Sequence, residues 1–436
     1  MSLLRVTSSA LALAAAISSP APAHGGGSWI VVHTWPWTSV ADTAAALLTN
    51  GSSALDAAVS AAGVAERDET VESVGRGAHP DAAGEPTLDA LVMDGDDANI
   101  GAVGALRGVA SAAAAARLVL DHTSHSLLVG SQATTFASAF GGLPLESLSS
   151  AASDADYARW QARGCQPSYW TRTSPPPSSG CGPFRPLEQH LDALAGAHVP
   201  QPPLPLTPDM HDTLSVAVID AHGSVAAVTT TNGLAFKIPG RVGDAAIPGS
   251  GNYARSGVGA CGSTGARWLR HLVLSNALAL TTAALRRAGD GDVMMRFLPC
   301  YQVVESMRLG WSPLDAAEDA IARIRAVQPS FTGAVFALAA DGRHAGAAHN
   351  WVFQYTVRRE GDAAATVFTV SPRPAHAGPR VTTMRCTTSA QFLAAAAAGG
   401  VLTTAMTRIH AAVGRLARAV AAEGKAQAAD GVVNSW

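Results

Sequence analysis

Charge is scarce in this chain. Only 14% of its residues are charged, and 30 basic against 33 acidic side chains leave a net charge of −3 with histidine neutral. So small an imbalance is no argument for nucleic acid or an anionic membrane as a partner. Long apolar runs are missing as well. Beyond the first residues, no uncharged apolar run reaches the ~18–20 residues of a membrane span. There are five cysteines, Cys165, Cys181, Cys261, Cys300 and Cys386. The last three cannot all pair within the chain, and their spacing makes no zinc site. No GxSxG elbow occurs, so His24-Gly25-Gly26-Gly27 is not half of a serine-hydrolase site. Gly257-Val258-Gly259-Ala260-Cys261-Gly262 matches GxGxxG, but it follows no clear strand. No acid lies about 20 residues on to take a ribose, so dinucleotide binding is set aside.

Apolar residues, by contrast, are plentiful. At 48% hydrophobic over 436 residues, the chain can bury a large core. Its length permits two or three domains, or the one layered core of many α/β enzymes. The start reads as a secretory leader over residues 1–23: Arg5, an apolar run over 10–17, then the small-x-small site Ala21-Pro22-Ala23. Asn50-Gly51-Ser52 is the only glycosylation sequon, which suits secretion. Cys165 and Cys181 flank a proline-rich loop. A disulfide closing it fits an oxidising compartment; two free thiols are the alternative.

Periodicity predicts alternating elements. Residues 29–34 read as a buried strand, and 53–67 as a helix capped by Ser52 or Ser53. Residues 88–93 read as a strand, 107–122 as a helix, 127–129 as a strand and 131–140 as a helix. Strands interleaved with helices indicate an α/β layered core. The proline-rich stretch 165–210 predicts no stable element. Thr213 then opens an alternating run that turns at His222-Gly223 and returns over 224–231, a β-hairpin. Helices over 293–308 and 313–327 and strands over 331–338 and 363–370 follow.

The position of Thr213 carries the functional argument. A threonine hydroxyl holds its proton too tightly to be a good nucleophile and needs a base beside it. If the chain is cut just before the threonine, its own new α-amine serves, with an unperturbed pKa of about 7.7–8.0. The Asp212-Thr213 bond, at the end of a long irregular segment, suits such a cut. The hydroxyl attacks the Asp212 carbonyl, and the resulting ester is hydrolysed.

Several motifs point the same way. His211-Asp212-Thr213, Thr229-Thr230-Thr231-Asn232-Gly233, Gly240-Arg241-Val242-Gly243-Asp244 and Thr264-Gly265 resemble those of the glycosylasparaginase family of N-terminal-nucleophile hydrolases. Thr34-Trp35-Pro36-Trp37, Leu91-Val92-Met93-Asp94-Gly95, Leu128-Val129-Gly130 and Met295-Arg296-Phe297-Leu298-Pro299 extend the resemblance over roughly residues 29–370. It implies an αββα four-layer sandwich. It also implies an α-subunit over 24–212, a β-subunit over 213–371, and hydrolysis of the amide between an asparagine side chain and a sugar. Thr213 is the implied nucleophile, with Thr231 beside it, and Thr264 and Gly265 as oxyanion donors. Arg241 and Asp244 are the implied clamp for a free α-carboxylate and α-amine, with Trp35 walling the pocket. The resemblance also implies that Ser73 assists self-cleavage and that Cys165 pairs with Cys181. No metal or organic cofactor is implied. The implied partner is a small glycosylated asparagine, with neither nucleic acid nor membrane. The implied assembly is an αβ heterodimer or (αβ)2 heterotetramer in a lysosome, a vacuole or the extracellular space. An isoaspartyl peptidase or L-asparaginase of the same superfamily shares the clamp.

Two stretches depart from the family pattern. Residues 266–289 interrupt the path from Thr264-Gly265 to Asp290-Gly291-Asp292. From 266 to 287 they hold Arg267, Arg270, His271, Arg286 and Arg287 and no acid. A natural insertion and a retained intron are both open, and a real insertion is compatible with an uncleaved, inactive relative. Residues 372–436 form an extension whose Ile409, Val413, Leu416 and Val420 recur at helical spacing.

Overall fold

The computed structural model describes residues 27–187, 213–265 and 291–372. The leader, His211, Asp212, Cys386, the stretch 266–289 and nearly all of 372–436 therefore lie outside the described residues.

The first stretch opens with β1 (Ile30–Thr34), α1 (Thr38–Thr49) and α2 (Ala54–Arg67). Ser53 caps α2, its hydroxyl accepting from the Asp56 N–H at 3.1 Å. Next come β2 (Thr87–Asp94), β3 (Ile100–Arg107), α3 (Ala112–His122), β4 (Leu127–Val129), α4 (Gly130–Thr135) and α5 (Ala151–Ala162). β5 (Thr173–Ser174) lies within the loop closed by the Cys165–Cys181 disulfide, Cα–Cα 5.0 Å, and pairs with β6 (Arg185–Pro186) just beyond it.

Thr213 leads into β7 (Leu214–Ile219), which turns into β8 (Val225–Thr231), and these pair antiparallel as the hairpin predicts. β9 (Asn252–Arg255) and β10 (Gly259–Thr264) follow. The last stretch holds α6 (Gly291–Phe297), α7 (Pro299–Arg308), α8 (Pro313–Val327), β11 (Gly333–Ala339), β12 (His344–His349), β13 (Phe353–Arg359) and β14 (Thr366–Val370).

Two sequence expectations need correction. The predicted helix over 107–122 begins only at Ala112, because Arg107 closes β3 against Thr87 of β2. The single helix predicted over 293–308 is two: Leu298 takes a left-handed conformation (φ 48°), and Pro299, which has no N–H to give, starts the second.

Among the described residues, eight strands form one sheet in the order β14-β13-β1-β7-β8-β2-β3-β4. Four form a second, β12-β11-β10-β9. Every pairing is antiparallel except β3 with β4. The architecture is mixed α/β with a large central sheet. Strand side chains alternate between faces, so β7 sends Leu214, Val216 and Val218 into a core shared with α1, α2 and α3. Ala217 and Ile219 point the other way, towards Ala260, Phe336 and Leu338 of the smaller sheet. Both faces of β7 are therefore apolar, as a strand buried on two sides requires. The far side of the smaller sheet packs on α7 and α8 through Val303, Val304, Ile321, Ile324 and Val335. Cys261 of β10 and Cys300 of α7 are joined there as a second disulfide.

The two sheets approach closely at Gly262. A β-carbon there would sit 2.5 Å from both the Ser215 Cβ and a Phe336 ring carbon, so only glycine fits.

Candidate active site

Parity along β7 and β8 sets up the site. Thr213 and Ser215 share the face of Ala217, and Thr229 and Thr231 share that of Ala227, so all four look towards the smaller sheet. Thr264 ends β10 on the facing surface. The Thr213 N–H donates to Thr264 Oγ1 at 3.2 Å, across 51 residues of sequence. Thr213 is 7% exposed and Thr264 is fully buried, so the contact lies almost out of bulk water.

The Thr213 carbonyl is held from the other side. Thr34 Oγ1 donates to it at 3.0 Å and Trp35 Nε1 at 3.1 Å, while Thr34 Oγ1 also accepts from Ser215 N–H at 3.0 Å. Trp35 is buried, with Trp37 and Trp351 against its ring. It anchors the main chain at Thr213 and does not line the cleft.

That cleft is lined by Thr213, Thr231, Arg241, Asp244, Gly265 and Met294 among others. Thr231 Oγ1 accepts from the Gly233 N–H at 3.0 Å, which fixes the strand end beside Thr213. Ser73 is buried one strand end away, and its carbonyl accepts from the Asn232 N–H at 2.8 Å.

Arg241 and Asp244 are presented by the turn after β8. The Arg241 side chain is 14% exposed, and Asp292 of α6 accepts from its Nη2 at 3.0 Å and its Nε at 3.3 Å. Burial works against the guanidinium charge, but Asp292, Asp89 and Asp244 outweigh it and hold the group above its ordinary pKa. For Asp244, burial pushes the carboxyl up. Arg241 and the Ser263 hydroxyl, which donates to Asp244 Oδ2 at 3.2 Å, pull the other way.

Three residues that the sequence reading left unassigned support this turn. Asp89 of β2 is fully buried and accepts from the N–H groups of Gly243 at 3.0 Å and Ala105 at 2.8 Å, pinning the turn between Arg241 and Asp244. Asp292 orients the guanidinium. Lys237 is fully buried, and its Nζ donates to the carbonyls of Asn232 at 2.7 Å and Thr87 at 3.1 Å. Lys237 was legible in principle, as a lone cation between apolar residues in Leu234-Ala235-Phe236-Lys237-Ile238. Nothing local to Asp89 or Asp292 marks either one.

A family model described as asparaginase matches residues 29–280 and 275–368. The chain belongs to the asparaginase family. It is 42% identical over 352 residues, 79% of this chain and 90% of the other, to the "Probable isoaspartyl peptidase/L-asparaginase 3" of Arabidopsis thaliana. It is 41% identical over 330 residues, 75% of this chain and 86% of the other, to the "N(4)-(Beta-N-acetylglucosaminyl)-L-asparaginase" of Rattus norvegicus. The corresponding Mus musculus protein is 40% identical over 339 residues, 78% of this chain and 87% of its own. In this asparaginase-family chain, Thr213, Thr231, Arg241, Asp244, Thr264 and Gly265 thus converge on one cleft and its rim. Trp35 and Ser73 sit behind it, and Cys165–Cys181 closes a loop elsewhere.

Proposed function

We propose that this chain is an autoprocessing amidohydrolase that cleaves the amide bond of N4-(β-N-acetylglucosaminyl)-L-asparagine. Cleavage of Asp212-Thr213 makes an α-subunit over 24–212 and a β-subunit over 213–371. The fold is the αββα four-layer sandwich of N-terminal-nucleophile hydrolases, and residues 372–436 are an appendage. The observation that carries this reading is the Thr213 nitrogen 3.2 Å from Thr264 Oγ1 at the cleft that Arg241 and Asp244 line.

The chemistry follows from the geometry. Arg241 receives the substrate α-carboxylate and Asp244 its ammonium group. Thr213 Oγ attacks the β-amide carbonyl carbon while its proton passes to the Thr213 α-amine. Thr264 Oγ1 and the Gly265 N–H stabilise the oxyanion. The C–N bond breaks, and the amine's proton goes to the departing glycosylamine nitrogen. Water then attacks the ester, gives its proton back through the amine, and frees aspartate and the Thr213 hydroxyl.

Ser73 supports self-cleavage from behind, through the Asn232 main chain. The leader at 1–23 and the Cys165–Cys181 disulfide favour the secretory pathway, ending in a lysosome, a vacuole or outside the cell. The processed chains associate as αβ heterodimers or (αβ)2 heterotetramers.

The similarity to the Arabidopsis thaliana protein favours a second reading, hydrolysis of β-aspartyl peptides or asparagine, which needs the same clamp. Hydrolysis rates on the glycosylated asparagine and on β-aspartyl dipeptides separate the two. Faster turnover of the dipeptide overturns the first. No turnover of either, with Asp212-Thr213 intact, favours an inactive relative.

A further inference from the structure

Lys237 has no part in the chemistry above, yet its ammonium group is buried against the clamp. Its side chain is 1% exposed, and two main-chain carbonyls, Asn232 O and Thr87 O, take its protons. Gly233 separates it from Arg241. A methyl on Gly233 would lie 2.7 Å from Arg241 Nη1 and 3.2 Å from Lys237 Nζ, so both cations reach the same spot of backbone at the cleft wall.

The surrounding charges make this placement consequential. Lys237 feels Asp89 of β2, Asp81 of the loop before β2, Asp292 of α6, and Arg241 itself. Asp244 adds a fourth carboxylate against Arg241. Against these carboxylates Lys237 supplies a second positive charge beside Arg241.

We propose that Lys237 is the second cation of the carboxylate clamp, a positioning residue that keeps the potential at Arg241 positive enough to hold the substrate α-carboxylate without touching it. The proposal rests on the reading that this cleft binds the free α-amino acid end of its substrate. The same ammonium fixes the Asn232 carbonyl, one residue beyond Thr231, so charge and turn geometry are delivered by one group. Burial, opposed by Asp89, lowers the Lys237 pKa to about 8, with Arg241 lowering it further and Asp81 and Asp292 raising it. Below that pH the ammonium supports carboxylate binding; above it the support is lost.

The test is calorimetric binding of L-aspartate to the processed protein and to its Lys237→Met and Lys237→Arg variants from about pH 7 to about pH 9.5, a window that spans the Lys237 titration. The expected result is that L-aspartate binding to the unaltered protein weakens on the order of tenfold more than binding to Lys237→Arg as pH rises. The ligand amine and the Thr213 amine, whose unperturbed pKa is about 7.7–8.0, are the same in every arm, so their titration cancels between variants. Lys237→Met binds L-aspartate on the order of tenfold more weakly at neutral pH, with the added pH dependence gone, and raises KM far more than it lowers kcat. Lys237→Arg retains binding at the alkaline end. Equal pH dependence for the unaltered protein and Lys237→Arg overturns the proposal, as does a Lys237→Met variant that loses kcat with KM unchanged. If the unaltered protein binds L-aspartate at no pH, the substrate reading itself fails, and the role of Lys237 falls with it.

Discussion

The Thr213 nitrogen and the Thr264 hydroxyl are hydrogen-bonded across the gap between the two sheets. The strand that ends at Thr264 therefore fixes where an amine at Thr213 would point. Thr264→Val keeps the branched shape of the side chain but removes the hydroxyl. Turnover by processed protein is expected to fall about 10²–10³-fold, the usual cost of one oxyanion donor. KM should change little, and steady-state kinetics on the glycosylated asparagine checks the split.

Arg241 presents a planar fork, and Asp292 braces it through Nε and Nη2. Arg241→Lys keeps the charge and loses the fork, so KM is expected to rise about tenfold or more, with a smaller change in kcat. Asp292→Asn weakens the brace and should raise KM in the same direction by less. Equal losses in kcat and KM for both variants would place these residues elsewhere in the mechanism.

Glu66 of α2 is fully buried beneath β8. Its Oε1 accepts from Thr230 Oγ1 at 2.7 Å and from the Ala113 N–H at 2.8 Å. Burial raises its pKa from 4.5 to about 7, opposed by those two hydrogen bonds and by Arg67. A carboxyl raised on folding supports stability fully below its unfolded pKa, and that support is lost as pH rises through the folded one. The window here runs from about pH 4.5 to about pH 7. Glu66→Gln mimics the protonated acid at every pH. Denaturation midpoints should match the unaltered protein near pH 5 and exceed it near pH 8, by on the order of 1–3 kcal/mol.

Gly262 tests how the sheets meet. Gly262→Ala drives a methyl into Ser215 and Phe336 and is expected to cost about 1–3 kcal/mol of stability, read from urea denaturation.

Legibility in the sequence followed side-chain size and locality. Ser53 ahead of a helical apolar pattern, Pro313 at a first helical turn, and the Thr213 hairpin each announce themselves locally, and the structure places all three as read. β10 (Gly-Ala-Cys-Gly-Ser-Thr) and β12 (His-Ala-Gly-Ala-Ala-His) carry no strong strand formers. The close approach of the two sheets, as at Gly262, selects small side chains over β-branched ones. β3 was hidden the same way by Gly101, Ala102, Gly104 and Ala105, and the Ala-rich run after Ser111 drew the predicted helix start too early. At the site, Thr213, Thr231, Arg241, Asp244 and Gly265, all within the clustered motifs, line the cleft. The groups that hold those residues come from β2 and α6, distant in sequence, and only the sheet order brings Asp89 and Asp292 to Gly243 and Arg241.

The central claim is that Thr213 becomes a chain terminus. Denaturing electrophoresis of the purified protein, with N-terminal sequencing or intact mass spectrometry of each band, tests it directly. The account predicts two chains, one of which begins at Thr213. A single chain still joined through Asp212-Thr213, in protein that is folded and hydrolyses the glycosylated asparagine, would contradict it.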